Sequence, residues 1–350
     1  MTNRRGFIGT ALSATAATLL PSFSNANENM NSGIALIKPK RLNKGDTIGL
    51  IAPGYAIKSS ILEEAKNTLR SMGFKPYHTN RIIDKYGYLS NTDEERAKDL
   101  NEMFADPNVD GILCARGGYG CTRIMQMIDY ENIKQNPKTF IGFSDITALL
   151  NGIHQETGLV TFHGPVGSTL NDPYSIRQLE NIVISPKPQL EIQNVDLLKP
   201  ELATNPEFER YTITPGKATG KIVGGSLTLI NALVGTPHEI DFTGAIVCIE
   251  DVEEAPYRID RMLTQLIEGK TFKKAAGILI GVCAGCNDST NPDSFSLKEV
   301  ILDRIKPLGI PAAYGMSFGH VENNFTFPIG ISAKMDATQL SLQLLEKAVL

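Results

Sequence analysis

From residue 45 onward the chain alternates short apolar runs with amphipathic stretches of helical period. "DTIGLIAP" at 46–53 reads as a buried strand. Ser60-Ile-Leu-Glu63 has capping-box spacing and opens a helix that runs to Met72 and stops at Gly73. A second box, Thr92-Asp-Glu-Glu95, opens a helix to about Ala105. "VDGILCA" at 109–115 follows as strand, "CTRIMQMI" at 121–128 as helix and "TFIGF" at 139–143 as the next strand. Strands alternating with helices over short connections imply a parallel, doubly wound, flavodoxin-like sheet over residues 34–170.

Residues 171–215 are proline-rich and weakly periodic, which predicts a linker between two lobes. The pattern resumes after Gly216: "KATGKIVGG" as strand and turn, "SLTLINALVG" as helix, "GAIVCIED" as strand. In "APYRIDRMLTQLIEG", Ile259, Met262, Leu263 and Leu266 share one helical face. Strand runs at 276–283 and 310–314 and a helix near 295–306 complete a mixed β/α domain over 216–350. The fold class is therefore α/β and two-lobed. A parallel sheet takes its ligands beyond the carboxyl ends of its strands, so the active site is expected at the interface.

The N-terminus departs from this pattern. Arg4-Arg5 precede Phe7, a mild apolar run spans Ala11 to Leu20, and Ser24-Asn25-Ala26 has the small residues of a cleavage site. This is the outline of a twin-arginine signal peptide over residues 1–26, and it predicts cleavage near Ala26 and a periplasmic protein. The apolar run is about half of the roughly 20 residues that span a bilayer, and no cysteine follows it, so no stable membrane anchor is expected. Without the leader the chain carries 32 Lys and Arg against 38 Asp and Glu, a formal charge of −6 that repels nucleic acid.

Of the five cysteines, Cys114, Cys121 and Cys248 lie in or beside apolar segments and read as small buried thiols. Cys283-Ala-Gly-Cys286 has redox spacing but ends a strand-like run, whereas a thioredoxin-like motif would start a helix. The acidic stretch Asp251, Glu253 and Glu254 reads as a solvated loop. No histidine lies beside it at ligand spacing, so neither metal nor other cofactor is expected.

Four segments could carry chemistry. In "IGFSDITAL", Ser144 and Asp145 follow a strand and precede a helix, the geometry that exposes a nucleophile. Ile146 stands where G-x-S-x-G has its second glycine, so a serine that only caps the helix is an equal reading. In "CARGGYG", Gly117, Gly118 and Gly120 form either a tight turn or a backbone approach to a reacting carbonyl; phosphate-loop spacing is absent. Glu250 ends an apolar strand, where an unpaired carboxylate is costly. His320 sits in the glycine-flanked loop of "FGHVENNFTFPIG". His78, His154 and His238 have no catalytic pattern around them, and His163 in "TFHGP" is open to either role. Serine, imidazole and carboxylate from three strand ends can form a relay in which His320 takes the proton of Ser144 and Glu250 fixes its tautomer.

These segments, together with "GDTIGLIAP", "FHGP", "GGSLTLINALVGTP" and "IEDVEEAPYRIDRMLTQL", resemble the LD-carboxypeptidases of peptidase family S66. That family comprises the murein tetrapeptide carboxypeptidases and the related microcin C immunity peptidases, and the similarity runs from about Gly45 to Ala337. The resemblance implies a metal-free serine peptidase with Ser144 as nucleophile, Glu250 as acid and His320 as base. It places the oxyanion hole on backbone N–H groups near Gly118 and Asp145. It also implies a homodimer. Ser226 stands where the family often has asparagine. Arg116, Tyr119, Gly225, Ser226 and Arg258 are the candidates for substrate contact, the two arginines for a terminal carboxylate.

The expected reaction is release of terminal D-alanine from a peptidoglycan-derived tetrapeptide through an acyl-enzyme. The immunity relatives stack tryptophan on an adenylate, and this chain has no tryptophan, which favours the murein substrate over a peptide-nucleotide antibiotic. A non-catalytic periplasmic solute-binding protein would share the leader, the two lobes and the cleft without needing the relay.

Overall fold

The structure is a computed structural model and describes residues 34–195, 204–287, 291 and 293–350. The leader expectation, residues 1–26, lies outside the described residues, as does 196–203 of the expected linker.

The strands are β1 Thr47–Ile51, β2 Lys75–Tyr77, β3 Gly111–Cys114, β4 Thr139–Gly142, β5 Thr161–His163, β6 Glu191–Ile192, β7 Tyr211–Thr214, β8 Lys217–Ser226, β9 Ile246–Glu250, β10 Gly277–Val282, β11 Ala312–Gly319, β12 Phe327–Ile329, β13 Ser332–Asp336 and β14 Ser341–Leu344. The α-helices are α1 Ser59–Ser71, α2 Asp93–Ala105, α3 Cys121–Ile124, α4 Tyr130–Gln135, α5 Thr147–Thr157, α6 Pro173–Val183, α7 Leu227–Leu233, α8 Pro256–Glu268 and α9 Leu297–Ile305.

The first sheet runs β2-β1-β3-β4-β5 in parallel, the flavodoxin-like order that the alternating pattern implies, with β12 added antiparallel beyond β5. Its central strands β1, β3 and β4 carry almost uninterrupted apolar residues because helices cover both faces. The second sheet runs β6-β14-β13-β8-β9-β10-β11-β7. Strands β8 to β11 are mutually parallel, and the flanking strands are antiparallel.

Local signals mostly hold, with instructive exceptions. The box at Ser60 does not form: α1 begins at Ser59 behind Lys58, which makes no side-chain cap. Thr92 does cap α2 by accepting the Glu95 N–H, but Asn91 rather than Glu95 takes the Thr92 N–H. The reciprocal box closes instead at Ser296 and Glu299, ahead of α9. In α8, Ile259, Leu263 and Leu266 are buried as the period predicts, with Met262 at the margin of the stripe.

Two connections differ from the pattern. The segment expected to link the lobes contributes α6, β6 and β7, the last two pairing at the ends of the second sheet. The chain also returns from the second sheet to the first at β12, where Phe327 pairs with His163. Strands of two to four residues are too short to show a period, whether of mixed burial like β6 and β7 or wholly buried like β12, so pairing partners decide them rather than local pattern.

Candidate active site

β4 ends on Gly142-Phe143-Ser144, and Ser144 adopts φ +63°, a left-handed conformation that costs a non-glycine residue about 1–3 kcal/mol. This turn lifts the hydroxyl off the end of the sheet just before α5. Ser144 does not cap the helix. Its Oγ lies 2.9 Å from Nε2 of His320.

The other two groups reach it from the second sheet. Glu250, the last residue of β9, is completely buried, and its Oε2 lies 2.8 Å from His320 Nδ1. His320 follows β11 in a turn held by its neighbours: Asn324 Oδ1 accepts the Gly319 N–H at 3.3 Å, and Ser175 Oγ on α6 accepts the Asn324 N–H at 2.9 Å. The expected linker thus supplies a support for the histidine turn through a helix whose Asp172-Pro173 start and apolar face of Tyr174, Leu179, Ile182 and Val183 are a signal that the linker reading passes over.

The lobes are registered by α5. Asn151 donates to the carbonyl of Gly224 at 2.9 Å and accepts its N–H at 3.3 Å, and Thr147 Oγ1 accepts the Ser226 N–H at 3.0 Å. Ser226 pairs in turn with Glu250 across β8 and β9. The helix that starts beside the hydroxyl is therefore fastened to the strand beside the carboxylate. Each of these bonds contributes about 0.5–1.5 kcal/mol, and losing one partner would leave a buried group unsatisfied.

Electrostatics favours a directed proton path. Burial pushes the Glu250 pKa up, but the attraction of His320 and of a second imidazole, His163, outweighs it and brings it to about 2. Burial pulls the His320 pKa down, and the charge and hydrogen bond of Glu250 outweigh that, leaving it raised. An anionic Glu250 places the His320 proton on Nδ1 and leaves the Nε2 lone pair facing the hydroxyl. The neighbouring Asp251 is raised to about 6 by burial and then by the charge of Glu250; its carboxylate accepts from the N–H and hydroxyl of Thr228.

Gly319 makes the carboxylate–imidazole contact possible. Its φ is +119°, and a Cβ there would stand 3.1 Å from Glu250 Oε2 and 2.8 Å from the carbonyl of Val282. Gly319→Ala is expected to lower turnover by up to about a hundredfold through displacement of the relay. It should also cost about 1–3 kcal/mol of stability through backbone strain. Turnover and thermal unfolding of the variant check this; unchanged turnover would show that the relay tolerates the displacement.

The glycine loop stands against the hydroxyl: a Cβ on Gly117 would be 3.0 Å from Ser144 Oγ, and one on Gly118, at φ +113°, would strike the Tyr55 ring at 2.5 Å. Asp145 is buried and its Oδ2 accepts the N–H of Cys121 at 2.9 Å. Its carboxylate therefore ties the serine turn to the start of α3, a role its position before α5 did not suggest. Burial raises its pKa, opposed by the Cys121 contacts.

The remaining candidates fall in three places. Arg116 lies 5.4 Å over the Tyr55 ring and donates to the Ala56 carbonyl, while Tyr119 is exposed and edge-on to Tyr88, so both belong to an aromatic rim beside the glycine loop. Gly225 and Ser226 lie at the lobe junction against Thr147, with Ser226 only 3% exposed. Arg258 is on the exposed first turn of α8, paired with Glu254 at 3.2 Å and with the Tyr257 hydroxyl at 3.1 Å. All five cysteines are free and buried. Among the described residues no three His, Cys, Asp or Glu side chains cluster closely enough to hold a metal ion, and no helix is long and apolar enough to cross a membrane.

A hydroxyl on a strained strand–helix turn, aligned through an imidazole with a buried carboxylate between two α/β lobes, has the constellation of a serine-type hydrolase. Residues 48–164 match the LD-carboxypeptidase N-terminal domain and residues 219–335 the LD-carboxypeptidase C-terminal domain. The chain belongs to the LD-carboxypeptidase family, peptidase S66. It is 41% identical over 302 residues to a Bacillus subtilis protein named "Probable murein peptide carboxypeptidase", covering 86% of this chain and 92% of that one. Among solved structures, an MccF-like protein from Bacillus anthracis is similar at TM-score 0.76 and 29% identity, covering 89% of this chain and 99% of that one. The muramoyltetrapeptide carboxypeptidase from Oxalobacter formigenes is similar at TM-score 0.73 and 27% identity, covering 85% and 97%. Family membership makes the chain an enzyme and removes the reason for reading it as a solute-binding protein.

Proposed function

We propose that the protein is a serine carboxypeptidase that hydrolyses the L,D amide bond of a murein tetrapeptide and releases terminal D-alanine. The observation that carries this reading is the continuous hydrogen-bonded series from Ser144 through His320 to the buried Glu250, in a family whose relatives are named for murein peptides.

Ser144 Oγ attacks the carbonyl of the diamino acid while His320 Nε2 takes its proton. The tetrahedral oxyanion is met by backbone N–H groups of the glycine loop and of Asp145. His320 then protonates the amine of D-alanine, which departs and leaves an ester on Ser144. Water, activated by the same imidazole, hydrolyses the ester and restores the hydroxyl. Arg116, beside the glycine loop, is the cation for the substrate's terminal carboxylate.

Incubation of the purified chain with a murein tetrapeptide, with released D-alanine measured, tests the assignment. Release by the wild-type chain is the expected result. Cleavage of an aminoacyl sulfamoyl adenylate without any release from murein peptides would select the antibiotic-detoxifying reading, which the likeness to an MccF-like structure favours. The leader-like residues 1–26 support export to the periplasm, where the enzyme would meet the wall itself; a mature N-terminus after Ala26 in a periplasmic fraction is the expected result, and retention of the full leader in the cytoplasm would overturn it.

A further inference from the structure

We propose that His163 is a positioning residue for the relay: its Nε2–H closes onto the free oxygen of Glu250, so that the carboxylate is held between two imidazoles. The proposal rests on the roles assigned above to Ser144, His320 and Glu250.

His163 ends β5 and is completely buried. It pairs with Gly142 of β4 on one side and Phe327 of β12 on the other. Its ring stacks on Phe327 at 4.4 Å and 11°, and meets Phe143 and Phe318 edge-on. Such a site suits a phenylalanine, which would bury no polar atom. Instead both ring nitrogens are buried without a hydrogen-bond partner, and so is Glu250 Oε1. The unpartnered Nε2 and the unpartnered Oε1 face each other at 3.8 Å.

Buried polar groups of opposite need, sealed together by aromatic rings, gain by pairing. At 3.8 Å the contact is too long for a hydrogen bond, and a shift of about 1 Å in either side chain makes one. An Nε2–H is present in the Nε2-protonated neutral tautomer and in the imidazolium, and the anionic Oε1 opposite favours these over the Nδ1–H tautomer. With Oε2 bonded to His320 and Oε1 to His163, the plane of the carboxylate is fixed, and with it the ring of His320. Phe143, the residue before Ser144, packs against both imidazoles, 4.8 Å from His320 and 5.9 Å from His163, so one ring of the serine turn touches both.

The second donor also sets the strength of the base. A hydrogen bond to Oε1 draws charge from the carboxylate and weakens its hold on the His320 proton. Removing that bond raises the His320 pKa, and the acidic limb of activity moves to higher pH. The other titratable groups around the pair are Asp251 and Glu253 beyond β9 and Cys283 after β10, none of which the substitution alters.

The test compares His163→Phe, which keeps the packing and removes the donor, with His163→Gln, which keeps a donor. Capture of Ser144 by a fluorophosphonate is followed against pH in the full chain, with kcat and KM for D-alanine release measured in parallel. The phenylalanine variant is expected to unfold no earlier than wild type, to be captured about a hundredfold more slowly and to show its acidic limb at higher pH, with KM unchanged. The glutamine variant recovers most of the rate. Wild-type rate and pH profile in His163→Phe would overturn the proposal, as would equal losses in both variants. If His163→Phe does not fold, His163→Met set against His163→Gln makes the same comparison of apolar side chain with donor. Because fluorophosphonate capture needs no murein peptide, a wild-type chain that is captured but releases no D-alanine would overturn the substrate assignment and still decide the role of His163.

Discussion

Ser144→Ala is expected to lower D-alanine release by on the order of 10⁴- to 10⁶-fold, to the level that binding and oxyanion contacts alone sustain. The substitution removes one oxygen and keeps the backbone. The left-handed conformation at φ +63° is retained, and the helix that follows is uncapped by this residue in either form. What disappears is the 2.9 Å hydrogen bond to His320, whose ring stays fixed by Glu250 and Phe143. Stability should therefore change by no more than about 1 kcal/mol. Turnover and thermal unfolding measured on the same preparation separate the effects. Turnover within tenfold of wild type would exclude Ser144 as the nucleophile.

Glu250→Gln should reduce turnover by about 10⁴-fold at neutral pH, through a change of tautomer rather than of shape. A glutamine can turn its NH₂ toward His320 Nδ1, which then accepts; the proton moves to Nε2 and faces the hydroxyl it should receive from. The charge that raises the His320 pKa also disappears, while the burial that lowers it remains. In the wild-type chain the imidazole must be neutral to act as base, so activity falls as pH drops through a pKa above the ordinary histidine value of about 6.5. The residual activity of the variant should persist to lower pH than that. An acidic limb that stays in place would mean that Glu250 does not set the histidine's basicity. This shift is opposite in sign to that expected for removal of the His163 donor, so the two substitutions cannot be confused.

Each member of the series carries a local mark, but the resemblance to family S66 rather than those marks joins them. Ser144 follows a short apolar run that reads as a buried strand, Glu250 ends an apolar strand where a free carboxylate is costly, and His320 sits in a glycine-flanked loop. Their convergence was not legible from those marks, since residues 144, 250 and 320 meet only through the docking of α5 on β8 and the turn after β11. The support of that turn by Ser175 lay in a stretch whose prolines and uneven period predict a linker, although Asp172 caps a regular helix there. The same limit applies to His163. Its neighbours on β12 and β9 are far away in the chain, and nothing within "TFHGP" distinguishes a ring in the core from one beside a carboxylate. The box at Ser60 failed where the one at Ser296 formed, because the motif shows where a cap could close and packing decides where the helix starts.

The antiparallel strand β12 means that the first sheet is completed only by a strand from the later part of the polypeptide. A fragment ending before the second sheet would display the bare edge of β5, with the ring of His163 stripped of its stacking partner, and an unpaired edge of that kind recruits other chains. Synthesis from the N-terminus must therefore pass through a stage in which the edge of β5 stays open until Phe327–Ile329 have emerged to seal it. The histidine turn lies immediately before that strand, so the stretch that seals the edge of β5 is continuous with the one that carries His320 to Ser144 and Glu250.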